Sequence, residues 1–207
     1  MDDKQIEKGF NLIIANAESL IEEAKLLSAN NKVARAYTLA QLAIEEIGKS
    51  TFLTRAIFDY YMGTEINSKY FDKLGFRKHQ EKTKHSLKPE LIAIYMFEKS
   101  RGEKTDLRDG VLDDFNRIEE YNTYKNDSLY VGIVDDSFVS PSEIISPDFV
   151  SALISKAEIR LATARPLFSS LEDMKDRAGR IQEIIADPEK YEAFIKKLSD
   201  EVGVDLS

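Results

Sequence analysis

Apolar residues recur every three or four positions along most of this 207-residue chain, which is the pattern of helices with one buried face. The first such segment extends from residue 4 to residue 29 and is broken at Asn30-Asn31. Its apolar positions are Ile6, Phe10, Ile13, Ile14, Ala17, Leu20, Ile21, Ala24 and Leu27. A second segment runs from about residue 32 to residue 62. Because residues 36–48 are apolar and small on more than one side, we predict that this helix is the central one.

Further helical segments are shorter. We predict helices at residues 89–99, 107–124, 147–164, 171–186 and 188–202. Ser146 and Pro147 suit the N-cap and the first position of the helix that follows them. A basic segment, residues 69–88, carries both histidines and precedes the helix predicted to start at Pro89. Residues 63–74 fit either a loop or an extension of the second helix.

Residues 126–147 depart from the helical pattern. The stretches 129–131 and 133–134 are mostly β-branched or aromatic, and they lie between Asn126-Asp127 and Asp135-Asp136. Such residues between turn-forming pairs favour an extended, ordered connection. We therefore predict one all-α domain over residues 1–207, a helical bundle with an irregular extended insertion at residues 126–147.

Composition limits the classes of function. The 37 acidic and 29 basic side chains give a net charge of −8, which argues against an overall basic surface for nucleic acid but permits a local basic patch. Without cysteine the chain has no disulfide, no Cys zinc site and no thiol nucleophile, and two histidines are too few for a His-rich metal site. No apolar run approaches the ~20 residues of a membrane helix. The first residues of the sequence are polar, unlike those of a signal peptide. We expect a cytoplasmic protein without membrane contact and predict no cofactor.

The first polar cluster, residues 43–49, lies late in the most apolar helix. Glu45 and Lys49 are four residues apart, the spacing of a helical ion pair. Glu46 is about 100° further round the helix, so one of the two glutamates faces nearer the core. Gly48 costs about 1 kcal/mol relative to alanine inside a helix, which indicates that another helix approaches its backbone. The alternative interpretation is a solvated ion pair beside a packing glycine.

The second cluster, residues 76–85, is strongly basic. If it is helical, His79 and Lys82 share one face, and Lys78, Lys82 and His85 form another stripe. Such a stripe can attract the phosphates of RNA or of a nucleotide, and a histidine such as His79 can act as an acid or base near pH 7. A solvated basic face that pairs with acidic helices is the alternative.

The third cluster, residues 121–131, contains tyrosines around Lys125 that either line a pocket or anchor a loop to the bundle. The sequence has no phosphate-binding loop, Gly-rich dinucleotide turn, His-Glu-x-x-His motif, nucleophile elbow or Glu-x-x-His di-iron motif. A metal site built from Glu45 or Glu46 with His79 would need more ligands than the sequence offers. We therefore predict no metal.

Taken in order, the three clusters resemble a known family. The run Arg35-Ala36-Tyr37-x-Leu39-Ala40-x-Leu42-Ala43-Ile44-Glu45-Glu46-Ile47-Gly48-Lys49 resembles the Ala-Leu-Ala-Glu-Glu-Ile/Leu-Gly-Lys signature of AbiV-type abortive infection proteins. It is followed by a His-x-x-Lys segment at 79–82, by Lys125 and by Leu-Tyr-Val at 129–131, although Gly132 stands where the family usually has Asp. The resemblance covers about residues 10–165, and the predicted C-terminal helices, residues 171–203, add nothing to it.

The resemblance implies a phage-defence protein that blocks phage multiplication by arresting translation. It also implies that the fold is a helical bundle related to HEPN proteins. Many HEPN proteins are ribonucleases and dimers, so it also implies a homodimer, a phage protein as activator, and RNA or the translation machinery as target. The Arg-x(4–6)-His motif of those nucleases is absent, since Arg77 lies two residues before His79 and eight before His85. A metal-independent ribonuclease and a non-catalytic module that binds a partner or RNA therefore both remain open.

The resemblance also favours one polar site shared by two helices. In this hypothesis a glutamate orients His79, and lysines supply positive charge to a bound phosphodiester. The predicted catalytic residues are His79, Glu46, Lys49 and Lys82. The predicted binding residues are Glu45, Lys78, His85, Lys125 and Tyr130. A buried salt-bridged network that only fixes the register of the helices is the alternative.

Overall fold

A computed structural model of the chain describes residues 1–202, and over these residues it is a helical bundle with one two-stranded hairpin. The elements are α1 Asp3–Ala29, α2 Val33–Tyr61, α3 Ser68–Lys73, α4 His79–Arg101, α5 Leu107–Asn116, α6 Ile118–Asp127, β1 Gly132–Val134, β2 Ser137–Val139, α7 Pro141–Ile144, α8 Pro147–Ala164, α9 Leu171–Ile185 and α10 Pro188–Val202. The prediction of an all-α bundle is confirmed. Residues 203–207, which end the predicted domain, lie outside the described residues.

Helix α2 is central, as its sequence predicts, because α1, α4 and α8 all pack against it. Its alanines Ala36, Ala40 and Ala43 have no exposed surface. Small side chains at these positions let neighbouring helices approach closely and bury their larger apolar residues. This half of the core is completed by Ile21 of α1, Ile44 and Ile47 of α2, and Val150, Leu153 and Ala157 of α8.

The other half of the core is more aromatic. Phe10 of α1 and Phe52 of α2 are buried there, and the Phe10 ring lies 5.1 Å from the ring of Phe168, centroid to centroid. Met174 of α9 is fully buried in the same cluster. The segment after α8 therefore supplies part of the core.

Helix α4 begins at His79, ten residues before the predicted start, and Pro89 lies inside it. The sequence-based start was wrong because proline is usually excluded from a helix interior, where it leaves the carbonyl four residues earlier without its N–H partner. Here that carbonyl belongs to His85, and the hydroxyl of Thr51 on α2 donates a hydrogen bond to it at 3.1 Å. A contact with another helix thus replaces the bond that Pro89 removes.

Two further differences concern shorter elements. The single helix predicted at 107–124 is two helices, because the chain leaves helical geometry at Arg117, where φ is −98° and ψ is 13°. The insertion predicted at 126–147 contains the hairpin of β1 and β2, with helical residues at 126–127 and in α7. Asp135 and Asp136 form the hairpin turn with positive φ, as a two-residue turn of this type requires. No helix among the described residues is both long and apolar enough to cross a membrane.

The pairing of Thr51 with the His85 carbonyl leads to a test. We expect Thr51→Val to lower the free energy of unfolding by about 1 kcal/mol, because the carbonyl loses its donor. In a Pro89→Ala background the same change should cost much less, since the N–H of the new alanine can bond to His85. Urea unfolding of the four proteins measures the difference, and an equal cost in both backgrounds would contradict the explanation.

Candidate functional site

The polar cluster is centred on Glu45, a carboxylate of α2 that is only 2% exposed. Lys125, in the last turn of α6, donates to its Oε1 at 2.6 Å. Its Oε2 lies 2.8 Å from Nζ of Lys82 and 2.6 Å from Nδ1 of His79, both on α4. One carboxylate therefore ties three helices together.

The charge of this carboxylate is stabilised by its neighbours. Burial alone raises the pKa of Glu45, but hydrogen bonds from Lys125, Lys82 and His79 outweigh burial, so the net pKa is lowered. Glu45 is therefore ionised at neutral pH. Two buried lysines face a single carboxylate, so the cluster has one more positive than negative formal charge even when His79 is neutral.

Gly48 allows α2 and α4 to come close enough to form the cluster. A Cβ atom at this position would lie 1.8 Å from the backbone oxygen of Lys82, which is far inside van der Waals contact. The close approach expected from a glycine in this helix is therefore present, and it is made to the backbone of a residue that binds Glu45. Any side chain at position 48 has to push α4 away.

His79 connects the buried carboxylate to the surface. It is the first residue of α4, and its side chain is 56% exposed, whereas that of Glu45 is 3% exposed. Because Nδ1 faces a carboxylate, we assign the ring proton to Nδ1, which leaves Nε2 as the acceptor in the neutral ring. Nε2 has no hydrogen-bond partner among the described residues. Nζ of Lys82 also lies 3.4 Å from Nδ1, but two donors face each other there, so this contact is not a hydrogen bond.

Glu46 and Lys49 lie beside the cluster and bind each other. Lys49 donates to Glu46 at 2.6 Å, and its Nζ lies 5.4 Å from the centre of the Phe76 ring. The ion pair expected between Glu45 and Lys49 is therefore not formed, because Glu45 faces the core and Glu46 faces the neighbouring lysine. The glutamate that orients His79 is Glu45.

Three of the other predicted residues lie apart from the carboxylate. His85 packs against Phe52 with ring centres 4.2 Å apart, and burial together with Lys88 and Lys84 lowers its pKa to about 3. Its ring is therefore neutral near pH 7. Lys78 is exposed at the N-cap of α4, and its side chain does not cap the helix. Tyr130 is exposed just before β1.

A band of buried polar side chains extends the cluster along α2, and it was not predicted from the sequence. Gln41 donates to Thr83 of α4 at 3.2 Å, and Thr38 is 2.6 Å from Ser128, which follows α6. A signal for this band is visible in the sequence, since positions 38, 41 and 45 are polar at helical spacing within an apolar helix. The band shows that the face of α2 towards α4 and α6 is polar over about two turns.

A second buried ion network joins α4, α5, α6 and α8. Asp114 accepts hydrogen bonds from Arg160 at 2.7 Å and from the Tyr121 hydroxyl at 2.5 Å, and Lys156 also binds it. Arg160 in turn lies 3.4 Å from Glu90. Two acidic and two basic groups balance here, and Asp114 and Arg160 are almost fully buried. This network suits a structural role.

The described residues contain no group of three or more His, Asp or Glu side chains placed to hold a metal ion. The cluster around Glu45 instead offers one imidazole, one carboxylate and two ammonium groups. A histidine oriented by a buried carboxylate is an acid–base group, and surplus positive charge attracts anions.

Comparison with known proteins assigns the family. The family model HEPN_AbiV, described as AbiV, matches residues 5–162, about three quarters of the chain. The chain belongs to the AbiV family. The match to this AbiV model includes every residue of the Glu45 cluster and ends within α8, before α9 and α10. No curated protein and no solved structure matches the chain with significance.

The close approach at Gly48 can be tested directly. We expect Gly48→Ala to lower the free energy of unfolding by roughly 3 kcal/mol or more, because the new methyl group clashes with the Lys82 backbone. Gly110 in α5 is a matched control, since a Cβ there meets no atom within 4 Å and Gly110→Ala should stabilise the helix by about 0.5–1 kcal/mol. Chemical unfolding measures both. Equal effects of the two substitutions would contradict the packing assigned to Gly48.

The charge of Glu45 predicts a pH dependence. The pKa of Glu45 is lower in the folded chain than in the unfolded chain. Its contribution to the free energy of unfolding is therefore complete above the pKa of the unfolded chain, and it is lost as the pH falls through the pKa of the folded chain. Glu45→Gln should therefore cost roughly 3–5 kcal/mol at pH 7, since it leaves two buried lysines without their counter-charge, and this difference should shrink in acid. Glu46→Gln, in a more exposed pair, should cost less than about 1 kcal/mol. Unfolding curves recorded from pH 7 down into acid measure these differences. If the loss of stability in Glu45→Gln did not change with pH, it would contradict the assignment of Glu45 as the ionised partner of the two lysines.

Proposed function

We propose that this AbiV-family chain defends bacteria against phage by acting on RNA through His79 and thereby arresting translation. Membership of a family of abortive infection proteins supports the role in phage defence. The observation that carries the proposed chemistry is the bond from Nδ1 of His79 to buried Glu45, which leaves Nε2 at the surface. The proposed place of action is the cytoplasm, where translation occurs.

The electrostatics beneath His79 favour a phosphodiester. The two lysines on Glu45 leave a surplus of positive charge, and a phosphate group at the surface would compensate it. Lys78 is exposed next to His79 and can add to this attraction. The net charge of the whole chain is −8, so this local surplus is the feature that would direct RNA to one place.

The residues support a cleavage step that needs one base. Nε2 of His79 accepts the proton of a ribose 2′-hydroxyl, and O2′ forms a bond to the adjacent phosphorus. The bond from phosphorus to the 5′-oxygen breaks, and that oxygen takes a proton from water. The products are a 2′,3′-cyclic phosphate and a 5′-hydroxyl, and the imidazolium gives its proton to the hydroxide that the water leaves behind. Glu45 holds the imidazole in the required tautomer and stabilises its charged form.

Lys82 and Lys125 act through Glu45 in this proposal. Both are less than a tenth exposed, so neither presents its ammonium group freely to a large substrate. Their contribution is to keep Glu45 ionised and fixed. We propose the same positioning role for Gly48, because it sets the distance between the carboxylate and His79.

The first test is defence in cells that express His79→Asn. The amide nitrogen of asparagine can take the place of Nδ1 and keep the bond to Glu45, but no group replaces Nε2. We expect loss of protection in plaque assays with an unchanged melting temperature, and continued incorporation of labelled amino acids after infection. Gln80→Ala, at the exposed neighbouring position, is the control and should protect like the wild type.

Purified protein then separates cleavage from binding. Incubation of RNA with wild-type protein from infected cells should yield fragments that end in a 2′,3′-cyclic phosphate, and His79→Asn should yield none. If protection is lost in His79→Asn while wild-type protein leaves RNA intact but retains it on a filter, the chain acts by binding. Retained protection in a folded His79→Asn variant rejects the role of His79. A phage protein as activator remains a prediction.

A further inference from the structure

Positive charge is concentrated in one segment of an otherwise acidic chain. Residues 69–88 contain seven lysine and arginine side chains and two acidic ones, which gives the segment a formal charge of +5. The whole chain carries −8, so the other 187 residues carry −13. The segment covers most of α3, the turn that follows it and the first turns of α4, and His79 lies at its centre.

Four of these seven cations are exposed to solvent, and nothing in the protein holds them firmly. Lys69, Lys73 and Lys78 form no ion pair among the described residues. Arg77 pairs with Asp72 at 3.2 Å, but the two side chains are 80% and 50% exposed. An ion pair so open to water contributes little to stability, so a phosphate can replace Asp72 as the partner of Arg77.

Helix α3 presents its two lysines on a fixed element. Lys69 and Lys73 are four residues apart, so they lie on the same face of α3, about 6 Å apart along its axis. Phe71 is buried in the aromatic half of the core, and the side chain of Asn67 caps the helix by accepting a hydrogen bond from the N–H of Tyr70. The position of both lysines on the surface is therefore set by the packing of α3.

A tight turn joins this face to His79. The N–H of Phe76 donates to the carbonyl of Phe71 at 3.1 Å, and the N–H of Lys78 donates to the carbonyl of Gly75 at 2.8 Å. These bonds fold the chain back directly after α3. The end of α3 and the start of α4, which carries His79, therefore belong to one surface, which we call the basic surface, residues 69–79.

We propose that the basic surface binds single-stranded RNA and guides the strand to His79, with Lys69, Lys73, Arg77 and Lys78 each contacting a phosphate. This inference rests on the proposed function, because it takes the reacting phosphate to lie at His79. Successive phosphates of an extended strand are spaced about as widely as two lysines one helical turn apart. Contacts with the backbone phosphates hold a strand in place without selecting its sequence.

The shape and charge of the surroundings favour a single strand over a duplex. Proteins that recognise double-stranded RNA contact two successive minor grooves over about 16 base pairs, whereas the basic surface covers eleven residues of one short helix and a turn. The strongly acidic remainder of the chain would repel a long duplex. Attack of the 2′-hydroxyl also requires its oxygen to be in line with the bond from phosphorus to the 5′-oxygen, and a regular duplex prevents this alignment.

Binding can be measured separately from cleavage. A fluorescein-labelled oligouridylate with 2′-O-methyl groups has no free 2′-hydroxyl, so His79 has no proton to accept from it. We expect the full chain to bind this strand in fluorescence anisotropy. The logarithm of the association constant should fall with the logarithm of salt concentration with a slope of about −2.8, since each of the four phosphate contacts contributes about −0.7. A duplex of the same length should bind at least tenfold more weakly.

Paired substitutions test which lysines make the contacts. Lys69→Ala/Lys73→Ala should bring the slope to about −1.4 and raise the dissociation constant at least tenfold at about 50 mM salt. Lys32→Ala/Lys104→Ala is the matched control. It removes two exposed charges, one before α2 and one after α4, at the ends of these helices that are remote from α3, and it should leave the slope unchanged. Asp72→Asn frees Arg77 and should strengthen binding. Circular dichroism confirms that the variants are folded.

The results distinguish failure of the basic surface from failure of the proposed cleavage. A wild-type chain that does not bind the methylated strand overturns the basic surface, as do equal effects of the two double substitutions. Equal affinity for strand and duplex overturns the choice of a single strand. If the Lys69→Ala/Lys73→Ala variant alone loses binding while His79→Asn still protects cells from phage, the basic surface is supported and the proposed role of His79 fails.

Discussion

The arrangement of α2, α4 and α6 depends on the burial of one carboxylate. An ionised carboxylate cannot leave water without compensating charges and hydrogen bonds, so Glu45 requires the first turn of α4 and the last turn of α6 to lie beside it. Gly48 makes the required distance sterically possible. The same constraint that packs these helices also holds one ring nitrogen of His79, and so fixes which nitrogen faces the surface.

Two of the buried ion networks among the described residues, one around Asp114 and one around Glu45, differ in their balance of charge. Around Asp114 the acids and bases are equal in number, and together with Tyr121 they join four helices, although the Lys156 side chain is 37% exposed. Around Glu45 the positive charges are in excess, and one member reaches the surface. The equal charges around Asp114 suit a structural role, whereas the excess of positive charge around Glu45, with His79 at the surface, favours a site that attracts an anion. Charge balance thus separates scaffold from candidate site where burial alone does not.

Local patterns predicted the long helices well, because α1, α2 and α8 carry clear apolar faces and, for α8, a Ser-Pro start. Local patterns failed where contacts between residues far apart in the sequence determine the structure. The start of α4 depends on Thr51, which lies 34 residues from the carbonyl that it binds. Helical geometry indicated that either Glu45 or Glu46 faces the core, but the choice is made by Lys125, 80 residues further along the chain. The Asp114 network had no sequence signal, since its members are spread over four separate helices.

The boundary of the family match and the boundary of the folded unit do not coincide. The match ends at residue 162, yet Phe168 and Met174 are buried against Phe10 and its neighbours in the aromatic half of the core. Helix α1 and the segment that follows α8 therefore share one core, and α1 is covered in part by residues that the family match does not include. For this chain, the segment that carries the family signature is shorter than the segment that must fold to support it.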